Sequence, residues 1–194
     1  MLLNSYYSTE ELGRMYFKSI GSDVLLSRKS SIYFPETISI GSHVRIDDFS
    51  ILTGNIEIGS YVHIAAYCGL HGSRGIMMND FSGLSAGVLI YSESDDYSGS
   101  TLTNPTVPSE FRGAYGGPVI VGRHAIVGAR AVILPGVTIG EGCAVGSMSL
   151  VTKDLESWNV CVGIPCKPIK ARNKSLLDLE RRLFESDEKK RCHD

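Results

Sequence analysis

The sequence lacks any uncharged apolar run approaching the roughly 20 residues of a bilayer-spanning helix, so no membrane partner is expected. It lacks an excess of charge. Nineteen Lys and Arg stand against 21 Asp and Glu, a formal net of −2, which argues against nucleic acid as the main partner. Its opening, Met1-Leu2-Leu3-Asn4-Ser5-Tyr6, has neither the basic end nor the apolar stretch of a secretory leader. Its five cysteines (Cys68, Cys143, Cys161, Cys166, Cys192) include no CxxC pair, so no disulfide framework is indicated. They read as reduced, buried thiols, with Cys192 in the tail, and the expected compartment is the cytoplasm. Disorder is excluded by 43% hydrophobic residues, and 194 residues suit a single domain.

What the sequence does have is glycine, 21 residues of it, set among Ile and Val. That much glycine is costly inside helices. From Ile20 an aliphatic residue or Met recurs every six positions: Ile20, Leu26, Ile32; Ile40, Ile46, Leu52, Ile58, Ile64, Leu70; Met78, Leu84, Ile90; and Val121, Val127, Ile133, Ile139, Val145, Val151. The residue four after such a slot is usually small or β-branched, as at Val24, Val44, Ser50, Val62, Ala125 and Ser149. A period of six fits neither a helix nor a coiled coil. It fits short strands joined by tight turns and stacked as a parallel β-helix.

This pattern resembles the hexapeptide-repeat acyltransferases over residues 18–170. The resemblance implies an all-β fold, a left-handed parallel β-helix with three hexapeptides per turn. The 18 slots then make six coils over residues 18–155. The period breaks three times: eight residues from Ile32 to Ile40, eight from Leu70 to Met78, and 31 from Ile90 to Val121. The breaks follow the third, ninth and twelfth slots. With three strands per coil, every insertion therefore leaves at one corner, and His71-Gly72-Ser73-Arg74-Gly75 lies one coil from the root of the long loop, 91–118. A capping box at Ser8-Thr9-Glu10-Glu11 predicts a helix over 9–17, and Leu176, Leu177, Leu179, Leu183 and Phe184 predict another from Lys174 to about Glu188 within the closing segment, 156–194.

The resemblance also implies a site. Relatives of the galactoside and maltose type carry a catalytic His five residues after the slot that precedes the loop; here that position is Asp95. His71, at the same corner, is the favoured base of the two, because an imidazole titrates near pH 6.5. Glu93 and Asp96 would raise the pKa of Asp95, and with Tyr97 and Arg74 they are the candidate acceptor-binding residues. The stretch Val151-Thr152-Lys153-Asp154 … Gly163-Ile164-Pro165-Cys166-Lys167-Pro168-Ile169-Lys170 is similar to the segment that lines the coenzyme A site in the family. Thr152, Lys153, Lys167 and Lys170 would meet phosphates, and Gly128, Ala129 and Ser147 would let the pantetheine arm approach. Trp158 either stacks on adenine or caps the core. The pair His63 and His71, eight apart, does not match the metal spacing of the zinc carbonic anhydrases that share this fold, and no metal is expected.

The resemblance implies an acetyl-CoA-dependent acetyltransferase, a homotrimer with sites between subunits, acting by direct transfer to a sugar. The missing loop His favours the amine of a nucleotide-linked amino sugar, in bacterial surface-polysaccharide synthesis, over a sugar hydroxyl. A carboxylate-rich loop suits an ammonium substrate. A hydroxyl acceptor and a non-catalytic β-helix scaffold are the alternatives. Tyr61 and Phe81, read as outward-facing and wet in a monomer, are taken as support for the trimer.

Overall fold

The computed structural model describes the backbone of residues 5–191 and the side chains of residues 5–186. Residues Met1–Asn4 and Cys192, named above, lie outside the described residues. The slots form a triangular prism of stacked parallel strands, a left-handed β-helix. Face one carries Ile20, Ile40, Ile58, Met78, Val121 and Ile139 in register. Face two carries Leu26, Ile46, Ile64, Leu84, Val127 and Val145. Face three carries Ile32, Leu52, Leu70, Ile90, Ile133 and Val151. Apart from Ile20 and Ile32 in the first coil, every slot side chain is buried. Each such burial removes about 1.5–3 kcal/mol of apolar exposure from water.

The coil count is about seven rather than six. After Val151 the spacing shrinks to four, and Leu155 pairs with Ile139 on face one. Cys161 then follows at six and pairs with Val145 on face two. Both residues are buried, so the prism gains two further slots that the six-residue count stops short of. Strand Asn159–Val162 next meets Lys167–Ala171 in an antiparallel pair that ends the sheet of face two.

The corners differ in chemistry. Between faces one and two, the residue three after each slot is left-handed, and many of these residues are aromatic: His43, Tyr61, Phe81, His124 and Trp158 all have φ between 57° and 59°. Neighbouring rings stack, Tyr61 on Phe81 at 4.6 Å. Helix α2 (Leu176–Arg191) lies against this column, past the expected end near Glu188. The Phe184 ring meets Tyr61 and Phe81 edge-on, and Glu180 bonds Arg123 and the Nε2 of His124. Tyr61 and Phe81 are therefore covered within the chain and give no support for a subunit interface. Helix α1 covers Thr9–Gly13, shorter than expected, with its capping box formed and Leu12 buried under the first coil.

The corner between faces two and three has left-handed Phe49, Tyr67, Arg130 and Met148, and no helix among the described residues covers them. Phe49, Tyr67 and Met148 are about half exposed or more. The third corner, between faces three and one, receives all three insertions.

Candidate active site

Strands Ile51–Ile58 and Gly69–Met78 bend around the third corner without a break, pairing on both faces. Thr53 pairs with His71 and Gly54 with Gly72; the register then shifts, and Ile56 pairs with Ile76. The two extra residues of the lower-period break bulge outward here and carry Ser73 and Arg74. Tyr91 pairs directly above His71, so the loop root and the His71 insertion are neighbours, one coil apart.

The loop is ordered by its own ladder. Glu93–Asp95 pairs antiparallel with Ala114–Gly116, Asp95 opposite Ala114. Gly116 is required, because a Cβ there would lie 2.3 Å from the Ser92 carbonyl oxygen. Farther out, Leu102 bridges Arg112 after a short 3-10 turn, Ser109–Phe111.

These elements enclose a cleft of about 630 Å³ lined by His71, Tyr91, Glu93, Asp95, Arg112 and Phe34 among others. The His71 and Tyr91 rings stack at 4.9 Å, almost parallel. Burial of the imidazole, with no acid beside it, pushes the His71 pKa down, so it is neutral at pH 7. Arg112 is the cation of the cleft. Among the described residues it has no carboxylate partner, and its Nε is buried without an acceptor. Leaving such a group unpaired costs about 1–3 kcal/mol.

The candidate acids separate into different duties. Glu93 accepts from Arg74 Nε at 2.6 Å, and Arg74 also reaches the Ala114 carbonyl. Asp96 turns into the loop, accepting from the Ser98 and Thr101 amides and the Thr101 hydroxyl. Those donors hold its carboxyl at a pKa of about 2. The two charges expected to act on Asp95 are thus engaged elsewhere, and Asp95 is the cleft carboxylate without an ion-pair partner among the described residues. Tyr97 stands at the loop surface, 88% exposed, beside a small recess with Asp95, Asp96 and Thr103.

The residues expected at a coenzyme site do not meet within one chain. Thr152 and Lys153 follow face three, at the loop corner. Gly128, Ala129 and Ser147 follow face two, at the uncovered corner. Gly128 is already demanded by coil stacking, since a Cβ would lie 2.5 Å from the Ser147 amide. Lys167 and Lys170 project from the exposed closing strand. Trp158 packs as a cap on Gly142, with Lys174 Nζ over its ring at 5.3 Å. His63 lies on face two, its Nε2 2.8 Å from Asp47, which Arg45 also holds.

Among the described residues no thiol is activated. Burial raises Cys68 to about 11 and Cys143 to about 12, away from the thiolate a nucleophile needs. Among the described residues, no group of three or more His, Cys, Asp or Glu stands close enough to hold a metal ion.

Known proteins share this architecture. The family model described as bacterial transferase hexapeptide (six repeats) matches residues 37–72 and 118–153, on either side of the loop. The dTDP-4-amino-4,6-dideoxy-D-glucose acyltransferase of Escherichia coli is 43% identical over 179 residues, covering 91% of this chain and 93% of that protein. The chain belongs to the hexapeptide-repeat acyltransferases. It is an acyltransferase, then, and not a scaffold. A solved member, the N-acyltransferase AntD of Bacillus cereus in complex with dTDP and 3-hydroxybutyryl-CoA, is 48% identical with a TM-score of 0.93. The alignment spans 96% of this chain and all of that one. AntD has also been solved as variants at a serine and at an aspartate ten positions later. A putative lipopolysaccharide O-acetyl transferase of Escherichia coli K12, WbbJ, is 28% identical over 74% of this chain and 73% of its own length. Sequence reasoning within this hexapeptide chain singled out Asp95 but passed over Ser85, which stands ten residues before it, directly after buried Leu84.

Proposed function

We propose that this enzyme transfers an acyl group from an acyl-CoA, acetyl-CoA in the simplest case, to the amine of a dTDP-linked 4-amino-4,6-dideoxy sugar. The observation that carries the reading is the cleft carboxylate Asp95. It stands ten residues after Ser85, the separation at which AntD has been varied, in a chain 43% identical to a dTDP-amino-sugar acyltransferase. Both His71 and Asp95 line the cleft; His71, favoured from the sequence, gives way to Asp95 as the proposed base on the strength of that separation from Ser85. Asp95 attracts the ammonium form and takes one proton from it, freeing the lone pair that attacks the thioester carbonyl; a backbone amide stabilises the oxyanion, the C–S bond breaks, and the second proton lost by nitrogen passes to the departing sulfur, so coenzyme A leaves as the thiol. His71, flat against Tyr91, shapes the wall.

The site is completed by a second subunit of a trimer. Ser85, Gly128, Ala129 and Ser147 share the uncovered corner, whereas Asp95 and Lys153 share the loop corner, so the two sets meet only if corners of neighbouring copies meet. Thr152, Lys153, Lys167 and Lys170 supply cations and a hydroxyl for the phosphates of coenzyme A. Arg74 holds Glu93 at the cleft wall, and Asp96 and Tyr97 shape the loop above the acceptor. Free cysteines, acyl-CoA and a nucleotide sugar together suit the cytoplasm, and among the described residues no helix is long and apolar enough to cross a membrane.

A thiol-release assay with acetyl-CoA tests the reaction. Turnover with dTDP-4-amino-4,6-dideoxyglucose supports it; turnover confined to neutral sugars would transfer the assignment to the hydroxyl class of which WbbJ is a member.

A further inference from the structure

The closing strand Lys167–Ala171 carries the two lysines proposed above to meet the phosphates of coenzyme A, yet little holds it. All its residues are exposed, and it ends the sheet of face two, so among the described residues no strand pairs with its outer edge. Its one ladder, to Asn159–Val162, shifts register between Val160 and Cys161, and Pro168 has no amide to donate. Where the strand begins, the chain is fixed by backbone: Cys166 donates to the Leu150 carbonyl, and Leu150 donates to that of Gly163. Where it ends, the fastening is a side chain. The Arg172 amide donates to the Trp158 carbonyl, and one guanidinium nitrogen donates to the carbonyls of His124 at 2.8 Å and Gly142 at 3.0 Å. Those carbonyls belong to successive coils. His124 and Gly142 are both left-handed, with φ 58° and 63°, at equivalent positions of the aromatic corner. Gly142 leaves the place of a side chain, and the Trp158 ring fills it, since a Cβ there would lie 2.4 Å from that ring.

Resting on the reading of Lys167 and Lys170 given above, we infer that Arg172 is a positioning residue of the coenzyme A site. It acts through the strand, holding the backbone from which the two ammonium groups reach the phosphates. A lysine is a point charge on a flexible stem, so its placement depends on where its backbone stands. A strand freed at its end has more freedom to lose when the coenzyme binds, and affinity falls by that cost while the chemistry at Asp95 is untouched. Helix α2 secures the arrangement. Glu180 bonds Arg123 and His124, so the chain is anchored at one place on the prism both before the helix, through Arg172, and within it. Between the two anchors Asn173 makes a turn, its Oδ1 accepting from the Ser175 amide and hydroxyl.

The test is equilibrium binding of coenzyme A to the full chain by calorimetry, with kcat measured at saturating acetyl-CoA. Arg172→Gln is expected to weaken coenzyme A about fivefold, the cost of ordering a loosened strand. Its kcat should stay within about twofold of wild type, because the loss is in binding. Added to Lys167→Ala with Lys170→Ala, the same change should weaken coenzyme A no further, since the groups through which Arg172 acts are gone. Unchanged coenzyme affinity in Arg172→Gln overturns the inference. So does an equal loss in the protein without the lysines, which a merely structural role would produce. Should Arg172→Gln fail to fold, Arg172→Lys, which keeps the charge on a shorter side chain without the planar fork, is expected to weaken coenzyme A about threefold, and wild-type affinity there is equally contrary. If the lysine variant itself binds coenzyme A normally, the reading of the closing strand falls and the inference with it. If that variant loses affinity and Arg172→Gln does not, only the inference falls.

Discussion

Asp95 and His71 make different predictions although they share a cleft. Asp95→Asn removes the carboxylate proposed to take the proton and is expected to lower kcat by about 10²-fold or more with acetyl-CoA affinity unchanged. His71→Asn should cost far less, since its ring acts by packing on Tyr91; the reverse pattern in steady-state rates would exchange the two roles. The histidines also set a pH dependence of stability. Burial lowers the pKa of His71, and burial with the Arg123 charge lowers that of His124. The folded state therefore takes up these protons later than the unfolded chain. Their contribution is complete above the ordinary histidine value of about 6.5 and is lost as pH falls below it. Thermal melts at pH 7.5 and 5.5 should show a lower Tm in acid, and His71→Gln should shrink the difference. Both cleft groups were legible in the sequence because insertion ordinals place them on one corner. The pairing of Glu93 with Arg74 and the inward turn of Asp96 were not, since partners in a loop depend on how the loop folds back. Ser85 gave no signal, being one of many small residues after a slot.

Among the elements, helix α2 is the one whose role the structure changes. Its Glu180 and Phe184 fasten it across the aromatic corner. Phe184→Ala is expected to cost about 1–2 kcal/mol, below a fully buried Phe because the ring is 42% exposed. That is a Tm loss of a few degrees with the β-helix intact by circular dichroism. The closing strand makes a separate prediction: Lys167→Ala with Lys170→Ala should raise the KM for acetyl-CoA about tenfold, the loss of charge-assisted bonds to phosphate. An unchanged KM would leave the two lysines as solvated surface. The prism itself was readable from eighteen slots at a constant step. Its seventh coil was hidden by the four-residue step from Val151 to Leu155, which a fixed period cannot follow. Tyr61 and Phe81 misled for a related reason: the six-residue pattern shows that they face outward but not that a later helix returns to cover them.

On the scale of the whole molecule, the uncovered corner is the surface that the proposed trimer would cover. Phe49, Tyr67 and Met148 are exposed there, on the same corner as Ser85 and Gly128. Light scattering is expected to give three copies at micromolar concentration, and a monomer with full activity would end the shared-site reading. The most direct measurement is the acyl transfer itself: purified protein, acetyl-CoA, and either dTDP-4-amino-4,6-dideoxyglucose or neutral galactosides and oligosaccharides, followed by thiol release and by mass spectrometry of the product. The expected result is an N-acetylated nucleotide sugar, formed by the wild type and not by Asp95→Asn. Release of thiol with the neutral sugars alone, or an Asp95→Asn enzyme as fast as wild type on the amino sugar, would contradict it.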